Sequence, residues 1–184
     1  KPLAEGPVKS AIFSLARANQ IPTDNVVYFD ASKQTTRVSA NVSGFAGTTQ
    51  VSLNDNLLNK TSLPEIKAVM GHEMGHYVLN HSLRLAVYFS LTIMFGFWFV
   101  HVVLDKVIAR FGVKYGITER TDPAVLPIAL TVFSFLMLLL TPVTNSIVRQ
   151  AEKEADLYGL NSAREPHGFA TAAMRLSTYR KIEP

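Results

Sequence analysis

The chain has 184 residues and a formal net charge of +4; 48% of its residues are hydrophobic and 17% charged, against about a quarter charged in soluble globular domains. The missing charges fall in two stretches, 85–104 and 124–148, which excludes an ordinary water-soluble domain, and the scattered Lys and Arg, with no basic run or interleaved aromatics, exclude nucleic acid as a partner. Cysteine is absent, so any metal is held by nitrogen and oxygen.

Taken in chain order, residues 1–21 read as a helix around Val8, Ile12, Leu15 and Ala16, closed before Pro22. From Val26 the apolar period drops to two, predicting short strands over 26–30, 36–43 and 48–54, joined by the polar turn 32–35 and by the Gly-Phe-Ala-Gly sequence 44–47. Residues 56–63 read as a link. Ser62, Pro64 and Glu65 then supply an N-cap, a first-turn proline and a capping-box acid, so a helix starts at about Leu63. It continues through 66–82 and almost without a break into the first apolar stretch.

At about 1.5 Å of rise per residue, 20 helical residues span a hydrocarbon core of about 30 Å. Both stretches reach that length and are apolar all round, whereas a helix in a soluble core keeps a polar stripe. They are read as a transmembrane hairpin, with 105–122 as the connection, Gly112, Gly116 and Asp122-Pro123 as its breakers, and both outer ends on one side of the membrane. Flanking bases are balanced, with Arg84, Arg149, Lys153 and Arg164 at the outer ends and Lys106, Arg110, Lys114 and Arg120 in the connection, so they set no orientation. Residues 149–160 are helical, ending near Gly159, and Pro166 opens a last helix over 167–180.

The chemistry lies on either side of the hairpin. His72-Glu73-Met74-Gly75-His76 is an H-E-x-x-H sequence, which on a helix projects two histidines from one face to share one zinc ion. Glu73, about 100° further round than His72, reaches a metal-activated water rather than the metal. His81, nine residues past His72, is expected to face away, while Asn80, one turn beyond His76, is a candidate for orienting a ligand or binding substrate. A catalytic zinc needs a third ligand. Beyond the second span, Glu152 and Asp156 share a helix face, so that one can ligate while the other accepts a hydrogen bond from a ligand histidine; Glu154 points elsewhere.

HEMGHYVLNH, two apolar spans and RQAEKEAD together resemble the integral-membrane zinc metalloproteases that include the type I CAAX prenyl endopeptidases and the bacterial heat-shock membrane protease. Gly75, the Asn80-His81 pair and the segment DASKQTTRVSANVSGF ahead of LNDNLL are closer to the CAAX branch. The resemblance implies His72, His76 and Glu152 as ligands of one zinc ion per chain and Glu73 as the catalytic base. It also implies a mainly α fold with a small β-sheet, a gluzincin-like domain interrupted by the transmembrane hairpin. Segments 1–84 and 149–184 then form one catalytic domain around 85–148. Ser39-Ala40 stands where family members often carry Asn-Ala. No His-Pro pair precedes Pro184, and the chain opens at Lys1, so truncation at both ends is expected.

The expected reaction is hydrolysis of a peptide or protein substrate, lipidated or membrane-bound, at the lipid bilayer. Strand 36–43 or 48–54 would hold extended substrate by edge pairing, and His167 and Arg149 are candidates to stabilise the transition state. The resemblance implies the bacterial inner membrane or the endoplasmic reticulum, with a cytosol-facing site. The alternatives are a quality-control protease of damaged membrane proteins, an intramembrane-cleaving metalloprotease, and a non-enzymatic membrane protein with a structural zinc.

Overall fold

The computed structural model describes residues 1–44, 48–117 and 119–182, with side chains to Arg175; the expected 44–47 connection lies largely outside the described residues. The elements are α1 (Pro7–Ala18), β1 (Asn25–Phe29), β2 (Ala40–Ser43), β3 (Gln50–Asn54), α2 (Asp55–Lys60), α3 (Leu63–Val78), α4 (His81–Tyr115), α5 (Val125–Ala163) and α6 (Pro166–Ile182). They divide into one unit made of 1–82 and 150–184 and a second made of 83–149.

In the first unit the sheet order is β1-β3-β2, with β1 parallel and β2 antiparallel to the central β3. Val51 and Leu53, alternating along β3, are fully buried, as the period of two requires. They meet Ile12 and Ala16 of α1 and Ile66, Met70 and Met74 of α3 in one core. These three α3 residues recur at i, i+4 and i+8 and form one stripe. His72 lies two residues, about 200°, round from Met70 and therefore leaves the opposite side of the helix.

Three expectations change here. The second strand is only four residues long, because residues 35–39 are held by side chains instead of a ladder: Ser39 N donates to Asn54 Oδ1 at 3.1 Å, Asn54 Nδ2 to the Arg37 carbonyl at 2.6 Å, and Asn56 Nδ2 to the Thr35 carbonyl at 2.8 Å. The link over 56–63 is largely the helix α2, started by Asn54, whose Oδ1 accepts from Leu57 N at 2.8 Å. Nor does α3 run smoothly onward: it ends at Val78 and Asn80 takes the left-handed conformation at φ 53°, which Asn tolerates better than most residues.

The second unit reverses the usual placing of apolar residues. Leu83, Phe97, Trp98 and Leu138 are exposed, and α4 and α5 are long and apolar enough to cross a membrane, with peak mean hydropathies of 1.9 and 2.2. Within it, Gly96 lets Phe133 approach so closely that an added Cβ would lie 2.6 Å from the ring, and Phe97 stacks on Phe133 at 5.5 Å. Much of the expected 105–122 connection is helix. Gly112 does not break α4, which runs to Tyr115 and stops at Gly116, where φ is 71°. Likewise α5 passes Gly159 and ends at Ala163.

Candidate metal centre

The helix α3 starts on its capping box, in which Glu65 Oε2 accepts from Ser62 N at 2.7 Å and Ser62 Oγ at 2.8 Å while Oε1 takes Arg175 Nε at 3.0 Å. Along the rest of α3 small residues determine what can approach. An added Cβ on Gly71 would lie 3.0 Å from the Gly159 carbonyl oxygen, one on Gly75 3.1 Å from Ala155, and one on Gly159 2.8 Å from His72 N. The C-terminal part of α5 therefore packs backbone to backbone on the histidine helix. Asn19, the C-cap of α1, fixes it further, accepting from Tyr158 Oη at 2.7 Å and donating to Ser162 Oγ at 2.7 Å.

That approach brings Glu152 beside the two histidines. His72 Nε2 and His76 Nε2 lie 3.1 Å apart, and Glu152 approaches the first with Oε2 at 3.5 Å and the second with Oε1 at 3.7 Å. A tetrahedral zinc with bonds of about 2.0–2.2 Å separates its donors by about 3.3–3.6 Å, close to these separations, and one ligand atom from each residue, two ring nitrogens and a carboxylate oxygen, lies within 4.8 Å of the others, a donor set suited to zinc. Burial, reinforced by the neighbouring His72, holds the His76 pKa below its ordinary value, favouring the neutral ring that a metal requires. Burial pushes the Glu73 carboxyl up to about 7, against the pull of His72 and with the help of Glu152, which is the range for a base working near neutrality.

Behind the two Nε2 atoms, the histidines are held in two ways. His72 Nδ1 lies 2.8 Å from Asp156 Oδ1. His76 Nδ1 lies 2.9 Å from His81 Nδ1, and His81 Nε2 lies 3.1 Å from Glu154 Oε2. His81 thus does not face away as continuous helical geometry predicts, since the break at Asn80 turns it back towards the histidine pair, while Glu154 points off the Glu152–Asp156 face to meet it. Asn80 is that break, exposed beyond the end of α3, rather than a further residue on its face.

The histidines, Glu73, Glu152 and Asp156 line one cavity of about 800 Å³, closed by Val38, Ser39 and Ala40 on one side and by Phe169, Ala172 and Ala173 of α6 on another. His167, exposed at the start of α6, is not part of that lining, and Arg149 is exposed at the end of the second unit. The α6 wall was not evident in the sequence, where its small residues carry no chemical signal.

Residues 2–181 match peptidase family M48. The chain is 33% identical over 159 residues to the uncharacterized metalloprotease YhfN of Bacillus subtilis, covering 86% of this chain and 37% of that one. It is 31% identical over 137 residues to the CAAX prenyl protease 1 homolog of Dictyostelium discoideum, covering 72% and 30%. The crystal structure of S. mikatae Ste24p superposes with a TM-score of 0.65 at 26% identity, over 94% of this chain and 43% of that one. The chain therefore spans between 30% and 43% of the length of these relatives.

Proposed function

The chain belongs to peptidase family M48, and on that premise we propose that it is the catalytic portion of a membrane-embedded, zinc-dependent endopeptidase of the CAAX prenyl protease type. The observation that carries this reading is the convergence of His72, His76 and Glu152 on one point beside the Glu73 carboxyl, in a cavity open to a strand edge. In this reading the first two histidines and Glu152 are the metal ligands, and the segments 1–82 and 150–184 make up one catalytic body.

A zinc ion held by His72, His76 and Glu152 would supply Lewis acidity towards the scissile carbonyl and the attacking water. Glu73 takes the proton from that water and delivers it to the leaving amine. Asp156 accepts from His72 Nδ1–H, which fixes the tautomer and aims Nε2 at the ligand point. Since β3 has partners on both sides, β2 is the strand to which an extended substrate adds, with Val38 to Ala40 leading the peptide past the ligands. The substrate class we assign is a membrane-bound or lipidated peptide or protein, handled on the cytosolic side as the sequence resemblance implies.

The test is hydrolysis by full-length protein loaded with zinc, on casein and on matched prenylated and unprenylated peptides, beside Glu73→Gln. The variant should keep its zinc and lose activity by about 10²–10⁴-fold. The reading fails if the wild type binds zinc and cleaves nothing that Glu73→Gln spares. Equal rates on the two peptides would replace the lipidated substrate with general turnover of membrane proteins.

A further inference from the structure

We infer that His81 and Glu154 are positioning residues for the His76 side of the metal centre, forming a carboxylate–imidazole relay where His72 is held by a carboxylate directly. The inference rests on the reading that His76 Nε2 is a metal ligand. Given that, the proton positions follow along the chain of contacts. A ligating Nε2 leaves the proton of His76 on Nδ1, which donates to His81 Nδ1 at 2.9 Å. His81 then carries its own proton on Nε2, which donates to Glu154 Oε2 at 3.1 Å. Glu154 is braced in turn, its Oε1 accepting from Gln150 Nε2 at 3.0 Å. Each ring nitrogen along this path has one partner, and the two bonds end on a charge that can stabilise them.

Burial gives this chain its weight. His81 is 1% exposed, so its own ring nitrogens depend on protein partners, and an unpaired buried donor is costly. The geometry also explains why α3 must end where it does. Carried on as regular helix, residue 81 would project about 180° from His72; the left-handed Asn80 lets α4 begin with its first residue directed at His76. The two histidines thereby receive unequal support, an anionic acceptor for His72 and a neutral imidazole for His76.

The experiment measures zinc affinity by chelator competition, and the visible spectrum of the cobalt-substituted protein, on the full chain in detergent. The variants are His81→Phe, His81→Asn, Glu154→Ala and His76→Ala, each with the thermal melt of its metal-free form. His81→Asn keeps a carbonyl oxygen at the place of Nδ1, whereas His81→Phe keeps the bulk and removes the acceptor. Loss of a group that orients a metal ligand typically weakens metal binding about 10–100-fold. That loss is expected in His81→Phe and Glu154→Ala, with altered cobalt bands, while His81→Asn stays within about threefold of wild type. Wild-type affinity in His81→Phe and Glu154→Ala overturns the relay, as does an equal loss in the Asn and Phe variants, since an acceptor at the place of Nδ1 would then not be what His81 supplies. If His76→Ala itself leaves zinc binding unchanged, it is the ligand reading that has failed.

Discussion

The two units of this chain use the same apolar residue types in opposite ways. In the unit of 1–82 and 150–184, Val51, Leu53, Leu57, Met70 and Met74 are wholly buried, and among the described residues every buried side-chain nitrogen or oxygen has a partner. In 83–149, Leu83, Phe97 and Leu138 are each about two-thirds exposed. One unit is organised to exclude water from a core, the other to present its apolar surface to lipid. The comparison separates what the metal centre needs from what the membrane needs: ligand geometry depends on close backbone packing and saturated hydrogen bonds, whereas residence in the bilayer depends on the outward faces of two helices.

The largest expected effect falls on the metal centre alone. In the proposed reading Glu152→Ala removes a ligand, and it should reduce peptide hydrolysis to background and abolish tight zinc binding while membrane association persists, measured by metal content and membrane fractionation of the same preparation. Retention of tight zinc binding by this variant would break the assignment. Next, Leu138→Arg places a charge amid the lipid-facing residues of α5, at a cost of about 2.5–3.5 kcal/mol near the bilayer centre. Alkali-resistant membrane association should fall. Unchanged association would mean that this face does not meet lipid.

A smaller effect sharpens the packing argument. Gly159→Ala sets a methyl group 2.8 Å from His72 N, and overpacking of this kind costs about 1–3 kcal/mol; the melt and the zinc affinity should drop together, since the same contact positions Glu152. A lowered melt with intact affinity would uncouple them. The smallest effect lies far from both metal and lipid. Asp55 is held down to about 2, chiefly by its hydrogen bonding with Ser32, with the Ala31 and Asn56 N–H groups adding to it. Its contribution is complete above the ordinary carboxylate pKa near 3.8 and is lost as pH falls from there towards 2, because the unfolded chain binds the proton first. Wild type and Asp55→Asn should therefore differ in melting temperature at pH 6 and converge towards pH 2, and a constant difference would discard this account.

What could be read in advance was local. His72 and His76 share a face because they are four residues apart on a helix, and Ser62, Pro64 and Glu65 mark its start because they satisfy its own first turn. The short helix α2 was hidden by Asn54, Asp55 and Asn56, residues that suit a polar link equally well. His81 was misplaced because counting 100° per residue assumes an unbroken helix, although Asn80, of a type that often ends helices in the left-handed conformation, was a signal of the break. Glu154 was set aside because it lies off the helix face that Glu152 and Asp156 share, and its contact with His81 depends on the same break.

The sequence by itself determined most element types, though not α2, together with the histidine pair and the apolar character of the two long helices, since these depend on the period and polarity of neighbouring residues. Only the tertiary structure decided that Glu152, 80 residues from His72, stands 3.5 Å from it, that His81 Nδ1 lies 2.9 Å from His76 Nδ1, and that Ala172 and Ala173 form a wall of the cavity. Those placements depend on where backbones can touch, at Gly71, Gly75 and Gly159, and on a single left-handed residue at 80. Such distances arise from packing between remote segments and leave no periodic trace in the chain.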